Sequence, residues 1–172
     1  MQLVILLFGL LFIQACAPVM GTRSYITAPA KEGWEHIRRA EQYNNEGNYV
    51  QAEAEATRGL IKCDEAKERY VDRTKWRFIA EDEWWARIYL CRAYGWYQRG
   101  AALAKQGDLS CAALNLEWAA EEAKKAYRSD LEQEAYRLLI QVKEIKGTDW
   151  KGRWECPTSW RYYYPGRWFN ER

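Results

Sequence analysis

Apolar positions divide the chain into three kinds of stretch. Leu3 to Ile13 reads LVILLFGLLFI, with no polar side-chain atom. As a helix that run spans about 16 Å, roughly half the hydrocarbon thickness of a bilayer. It is too short to cross alone and has the length of the apolar core of an export signal. From Thr27 to Gly147, apolar and small residues recur at helical spacing and never alternate as in a strand. After Gly147 the chain reads TDWKGRWECPTSWRYYYPGRWFNER, with four Trp, three Tyr and a Phe among basic residues and no helical stripe.

The middle stretch predicts five helices and an all-α fold. Thr27 caps the first, with Pro29 in its first turn, and it runs to about Glu46. The second runs from Tyr49 to about Tyr70. A third, broken near Asp82, carries Trp76 to Gln106. On it Trp85, Ile88, Tyr89, Arg92 and Trp96 fall near one face, with Trp84 and Cys91 on the other. A helix that is bulky on both sides is buried between neighbours. The fourth runs from Leu109 to about Tyr127. The fifth starts at Ser129 or Asp130, carries Leu131, Ala135, Leu138, Val142 and Ile145 as its stripe, and ends at Gly147. The expected organisation is a signal peptide over 1–15, a linker over 16–27, a helical domain over 28–147 and an irregular aromatic tail over 148–172.

Two segments repeat within the helical domain. AEQYNNEGNYVQAEAEATRGL from Ala40 and GAALAKQGDLSCAALNLEWAA from Gly100 place small residues at the same offsets. Ala40, Gly47, Ala52 and Gly59 stand against Gly100, Gly107, Ala112 and Ala119, and Tyr43 and Tyr49 against Leu103 and Leu109. Each copy describes an αα-hairpin. The Gly before Asn48 or Asp108 ends one helix, the next begins at once, and small residues let the two backbones approach. The series Trp96, Gly100, Leu103, Gly107, Leu109, Ala112, Leu116, Ala119 resembles the tetratricopeptide repeat; the first copy has its aromatic at Trp34. Two independent alanine-rich hairpins in a bundle would show the same spacing. In the family the resemblance points to, a partner groove is lined by the first helix of each pair. Carried over by position, that lining is Trp34, Ile37, Glu41, Asn44 and Asn45, then Tyr94, Tyr97, Ala101, Ala104 and Lys105. Lys105 stands without the further basic residues of the family's carboxylate clamp.

Ile13-Gln14-Ala15-Cys16 resembles the lipobox of bacterial lipoproteins. That resemblance implies cleavage before Cys16, a lipid on its thiol and acylation of the new amino terminus. An ordinary cleaved signal and an uncleaved anchor are the alternatives. Because Ala17 follows the cysteine and no Asp does, the resemblance also implies the outer membrane, facing the periplasm. An exported chain changes the reading of Cys63, Cys91, Cys111 and Cys156, an even set in a compartment where disulfides persist. If the hairpins stack as repeats do, Cys63 follows Gly47 by as many residues as Cys91 precedes Gly107, which puts both at one level on neighbouring helices. That pairs Cys63 with Cys91 and, by elimination, Cys111 with Cys156; four free buried thiols are the alternative.

Charge and chemistry narrow the function. Lys and Arg number 26 against 24 Asp and Glu, a net charge of +2 that argues against nucleic acid as a partner. His36 is the one histidine and, beside Arg38 and Arg39, reads as a solvated residue. Glu81–Asp82 and Glu121–Glu122 are carboxylate pairs of the kind that charged helix faces present by chance. No cofactor, metal or enzymatic activity is expected. Two functions remain. One is a lipid-anchored periplasmic module that binds an envelope protein or peptide for assembly, piloting or scaffolding. The other is a cell-wall or polysaccharide-binding lipoprotein that uses its aromatic tail, which would need Trp160, Tyr162, Tyr164 and Trp168 exposed. The competing expectation is a tail that wraps back onto the bundle with Cys156 as its staple.

Overall fold

Residues of positive φ end four helices, and at three of them the chain turns straight into the next helix. Gly47 and Gly107 take φ of 78° and 86°, as the notches in the sequence require, and Tyr127 takes φ of 57°. At each, two amides turn back on the preceding helix. Asn48 and Gly47 donate to Tyr43 (2.9 Å) and Asn44 (3.2 Å), and Asp108 and Gly107 to Leu103 (3.0 Å) and Ala104 (3.2 Å). Arg128 and Tyr127 donate to Ala123 (2.9 Å) and Lys124 (3.1 Å) in the same way. Asp108 then caps the next helix by accepting from the Cys111 amide at 3.1 Å.

The computed structural model describes residues 28–74, 82–147 and 156. They form α1 (28–45), α2 (Tyr49–Thr74), α3 (Asp82–Gln106), α4 (Leu109–Lys125) and α5 (Ser129–Lys146), with no strand among the described residues. Helix α2 outruns its expected end at Tyr70, and α3 begins at Asp82; the expected start at Trp76 lies outside the described residues, as do the signal, the linker and all of the tail but Cys156. No helix among the described residues is long and apolar enough to cross a membrane.

Antiparallel neighbours give two layers. α3 packs on α2, α4 and α5, and α4 on α5. α1 lies against α2 and α3: a Cβ built on Gly33 would stand 2.9 Å from Cys63 Sγ, 3.1 Å from the Gly59 carbonyl and 3.2 Å from Cys91 Sγ. α1, α3 and α5 thus share one layer, with α2 and α4 behind. The crossings are close because small residues fill them. A Cβ on Gly100 would meet Leu116 Cγ at 2.9 Å and the Ala112 carbonyl at 3.3 Å, and Ala40 and Ala52 are fully buried.

Leu60, Ile88, Leu114, Leu116, Leu131 and Val142 fill the remaining core. Trp96 of α3 and Trp118 of α4 meet with ring centroids 4.6 Å apart, a geometry that adds about 1 kcal/mol to the area buried. The stripe of α5 is rotated from the one read in the sequence. Leu131, Ala135, Leu139 and Val142 are buried, Leu138 is half-buried and Ile145 is 73% exposed. At about 100° per residue the four buried positions cluster, and Ile145 falls to the edge of their arc in the last turn.

Two disulfides are present. Cys63–Cys91 joins α2 to α3 with Cα atoms 5.9 Å apart. Cys111–Cys156, at 4.7 Å, ties the start of α4 to a residue beyond α5. Both are the expected pairs, and Ile37 of α1 packs on the first.

Candidate functional site

In the layer of α1, α3 and α5, Trp34, Tyr94 and Tyr97 are half-buried, while the crossings behind it are closed by Ala and Gly. Trp34 of α1 meets Tyr94 of α3 with centroids 5.4 Å apart and planes tilted by 58°. One turn along α3, the Tyr97 hydroxyl donates to Glu134 Oε1 of α5 at 2.8 Å. Burial, the hydrogen bond to Glu134 and the charge of that carboxylate all push the Tyr97 phenol well above its ordinary range. It is a neutral donor at any physiological pH. Asn44 of α1 donates to the Gln98 carbonyl at 3.0 Å and to Gln98 Oε1 at 2.8 Å. Aromatic rings of α1 and α3 and the Glu134 carboxylate of α5 therefore lie together on one face.

Of the residues carried over by position, Trp34, Asn44, Tyr94 and Tyr97 meet here. Trp34, Asn44, Tyr94, Tyr97, Ala101 and Ala104 are half-buried, and Glu41, Asn45 and Lys105 are exposed. Ile37 is the correction. It is 2% exposed and points the other way, into the core with Cys63 and Cys91, where it fills the space over Gly59. Gln98, Arg128 and Glu134 belong to this region and were not singled out in the sequence. Arg128 holds Asp130 through two hydrogen bonds of 2.9 Å and 2.6 Å. Glu134 lies 40 residues after Tyr94, the same interval that separates Gly107 from Gly147, and that interval was the available signal.

Charged groups buried between layers bind the helices to one another. Arg92 Nε of α3 is 2.9 Å from Asp64 of α2, and its Nη1 is 3.4 Å from Glu122 of α4. Arg99, seven residues on and hence on the same stripe, reaches Glu53 of α2 and Asn115 of α4, each at 3.3 Å. Lys67 of α2 and Lys125 of α4 place their ammonium groups 5.9 Å and 5.4 Å from the centre of the Tyr89 ring. Burial and the nearby Arg92 charge bring Lys67 down to about 8. Each of these guanidinium groups thus faces a carboxylate on a neighbouring helix, which offsets the cost of burying its charge.

His36 is also corrected. Its Nδ1 lies 2.8 Å from Glu55 Oε2 and 2.6 Å from Arg39 Nη2, and its side chain is 23% exposed. Carrying the proton there, it donates to the carboxylate; without it, Nδ1 accepts from the guanidinium. His36 is thus a member of an interhelical ion cluster and not a free surface group. Among the described residues no three of His, Cys, Asp and Glu are grouped to hold a metal ion. Cys16 and the tail rings Trp160, Tyr162, Tyr164 and Trp168 lie outside the described residues.

Comparison of the chain with family models, with curated proteins and with solved structures returns no match. Fold and site define an all-α bundle of antiparallel hairpins with an aromatic face on one layer.

Proposed function

We propose that this chain is a lipid-anchored protein of the bacterial envelope, attached through Cys16 at the outer membrane, that binds a protein or peptide partner. The binding surface is the α1–α3–α5 face, used in the manner of a tetratricopeptide repeat. The observation that carries this reading is the row Trp34, Tyr94 and Tyr97, half-buried beside Glu134 of α5. Such rings offer large apolar area with little side-chain entropy left to lose, and their hydroxyls and neighbouring amides can hold a backbone. Two disulfides suit the oxidising compartment that the anchor implies.

The test compares three forms in native membranes: the full protein, Trp34→Ala/Tyr97→Ala, and a chain ending at Cys156. A partner recovered by chemical cross-linking with the full protein and the shortened chain, but lost from the double variant at unchanged melting temperature, supports the reading. Recovery by the double variant, with loss of cell-wall sedimentation only on shortening, assigns binding to the aromatic tail instead. Cys16→Ser checks the anchor: it should accumulate as precursor and take up no palmitate, and its processing to a soluble mature form refutes lipidation.

A further inference from the structure

Gly33 stands where α1 crosses two helices at once. Its backbone faces Gly59 of α2, and a Cβ built on it would lie 2.9 Å from Cys63 Sγ and 3.2 Å from Cys91 Sγ. Both distances are shorter than an ordinary van der Waals contact of about 3.5 Å. The two cysteines are fully buried, and Ile37 of α1 packs on them with Trp34 and Tyr94 at the margin. The α1 backbone is therefore a lid over the bridge, with no spare room between them.

The redox state of the pair sets how much room it needs. Bonded sulfurs stand about 2 Å apart, and two thiols in contact stand about 3.5 to 4 Å apart. Reduction therefore spreads the pair by about 1.5 to 2 Å. Helices α2 and α3 are locked to one another on either side of it. Leu60 is seated over Gly95, Asp64 faces Arg92, and Ala66 and Tyr70 pack with Ile88. The element left to yield is α1, the edge helix of the described bundle.

We propose that the Cys63–Cys91 pair is a redox latch for α1: the bonded pair seats the helix, and the two thiols unseat it. In reduction a dithiol gives two electrons and two protons to the pair. The S–S bond breaks through a mixed disulfide, two thiols form, and the dithiol closes to its own disulfide. Formation of the bridge runs the same exchange backwards, against a disulfide donor. Once seated, α1 buries both sulfurs and closes them to exchange, so the seated state holds itself. Trp34 leaves Tyr94 when α1 lifts, because the two rings meet across α1 and α3. One consequence rests on the function proposed above: the partner face is complete only in the oxidised chain.

Deuterium exchange tests this on the full protein, reduced in urea and diluted into dithiothreitol, beside Cys63→Ala/Cys91→Ala treated in the same way. Both chains lose Cys111–Cys156, so they differ only in carrying two thiols or two methyl groups beneath Gly33. Amides of α1 should exchange at least tenfold faster in the reduced protein than in the double variant, with those of α4 within twofold. Equal α1 rates would assign any loosening to the missing cross-link and overturn the latch, and so would an equal acceleration of every helix. Gly33→Ala in the oxidised protein is an independent check. Alanine favours a helix over glycine, but here its methyl enters the space beside the sulfurs, so α1 amides should again exchange at least tenfold faster. Unchanged or slower exchange overturns the proposal. No partner is present in either measurement, so its failure and that of the proposed binding are told apart.

Discussion

Glu55 shows how much a single residue depends on neighbours distant in sequence. Burial alone pushes its carboxyl upward, but hydrogen bonds from His36, Arg39 and Arg58 outweigh that and hold it at about 2, against an ordinary 4.5. A group depressed in the folded state stabilises the fold above its unfolded value and loses that contribution as pH falls through its folded value. The window is therefore from about pH 4.5 down to about 2, and the contribution about 2 to 3 kcal/mol after allowing for the exposed ends of Arg39 and Arg58. In urea unfolding, the stability gap between the protein and Glu55→Gln should be full at pH 6 and shrink by that amount towards pH 2. A gap that stays constant would mean the cluster is not ionised as drawn. None of this was legible in the sequence. His36 and Glu55 sit on different helices, and the approach of α1 to α2 at Gly33 and Gly59 is what joins them.

At the scale of helices and turns, the sequence carried most of the layout, because glycine marks a left-handed residue openly. Gly47 and Gly107 announced two hairpins and their shared offsets. The turn from α4 to α5 has the same backbone but puts Tyr127 in the left-handed position, at φ 57° with its side chain 84% exposed. No residue type signals that turn, so the register of α5, and Glu134 with it, was open to the sequence only through the Gly107–Gly147 interval. The same geometry makes a prediction. A bulky residue in the left-handed region carries a steric cost that glycine does not, and exposed Tyr127 returns little packing in exchange. Tyr127→Gly should raise the unfolding free energy by about 1 kcal/mol, read as a higher denaturant midpoint at unchanged slope. A lower midpoint would show that the ring holds the turn through contacts of its own. The aromatic face was partly legible for a related reason: positions one turn apart on α1 and α3 follow from periodicity, whereas Ile37 needed the rotation of α1 against the Cys63–Cys91 bridge.

For the whole molecule, the Cys63–Cys91 bridge joins the α1–α2 hairpin to the rest across the longest connection among the described helices. It closes a sequence separation of 28 residues, which chain-entropy arguments value at about 3 to 4 kcal/mol. Its counterpart, Ala123 beside Leu131, occupies the same register without a covalent bond. The register can therefore be packed by apolar side chains alone, and the bridge adds stability to a seam that already fits. Replacing both cysteines, as Cys63→Ala/Cys91→Ala, should leave the helical content intact and lower the unfolding free energy by about 3 kcal/mol. Reducing agent should then lower the melting point of the native protein by more than that of the double variant, which keeps only Cys111–Cys156 to lose. A chain without its first fifteen residues, made in a reducing cytoplasm, should likewise melt lower than the disulfide-bonded protein and recover on oxidation. Equal melting of the native protein with and without reductant would mean that stacking, and not the bridges, sets the stability of the molecule.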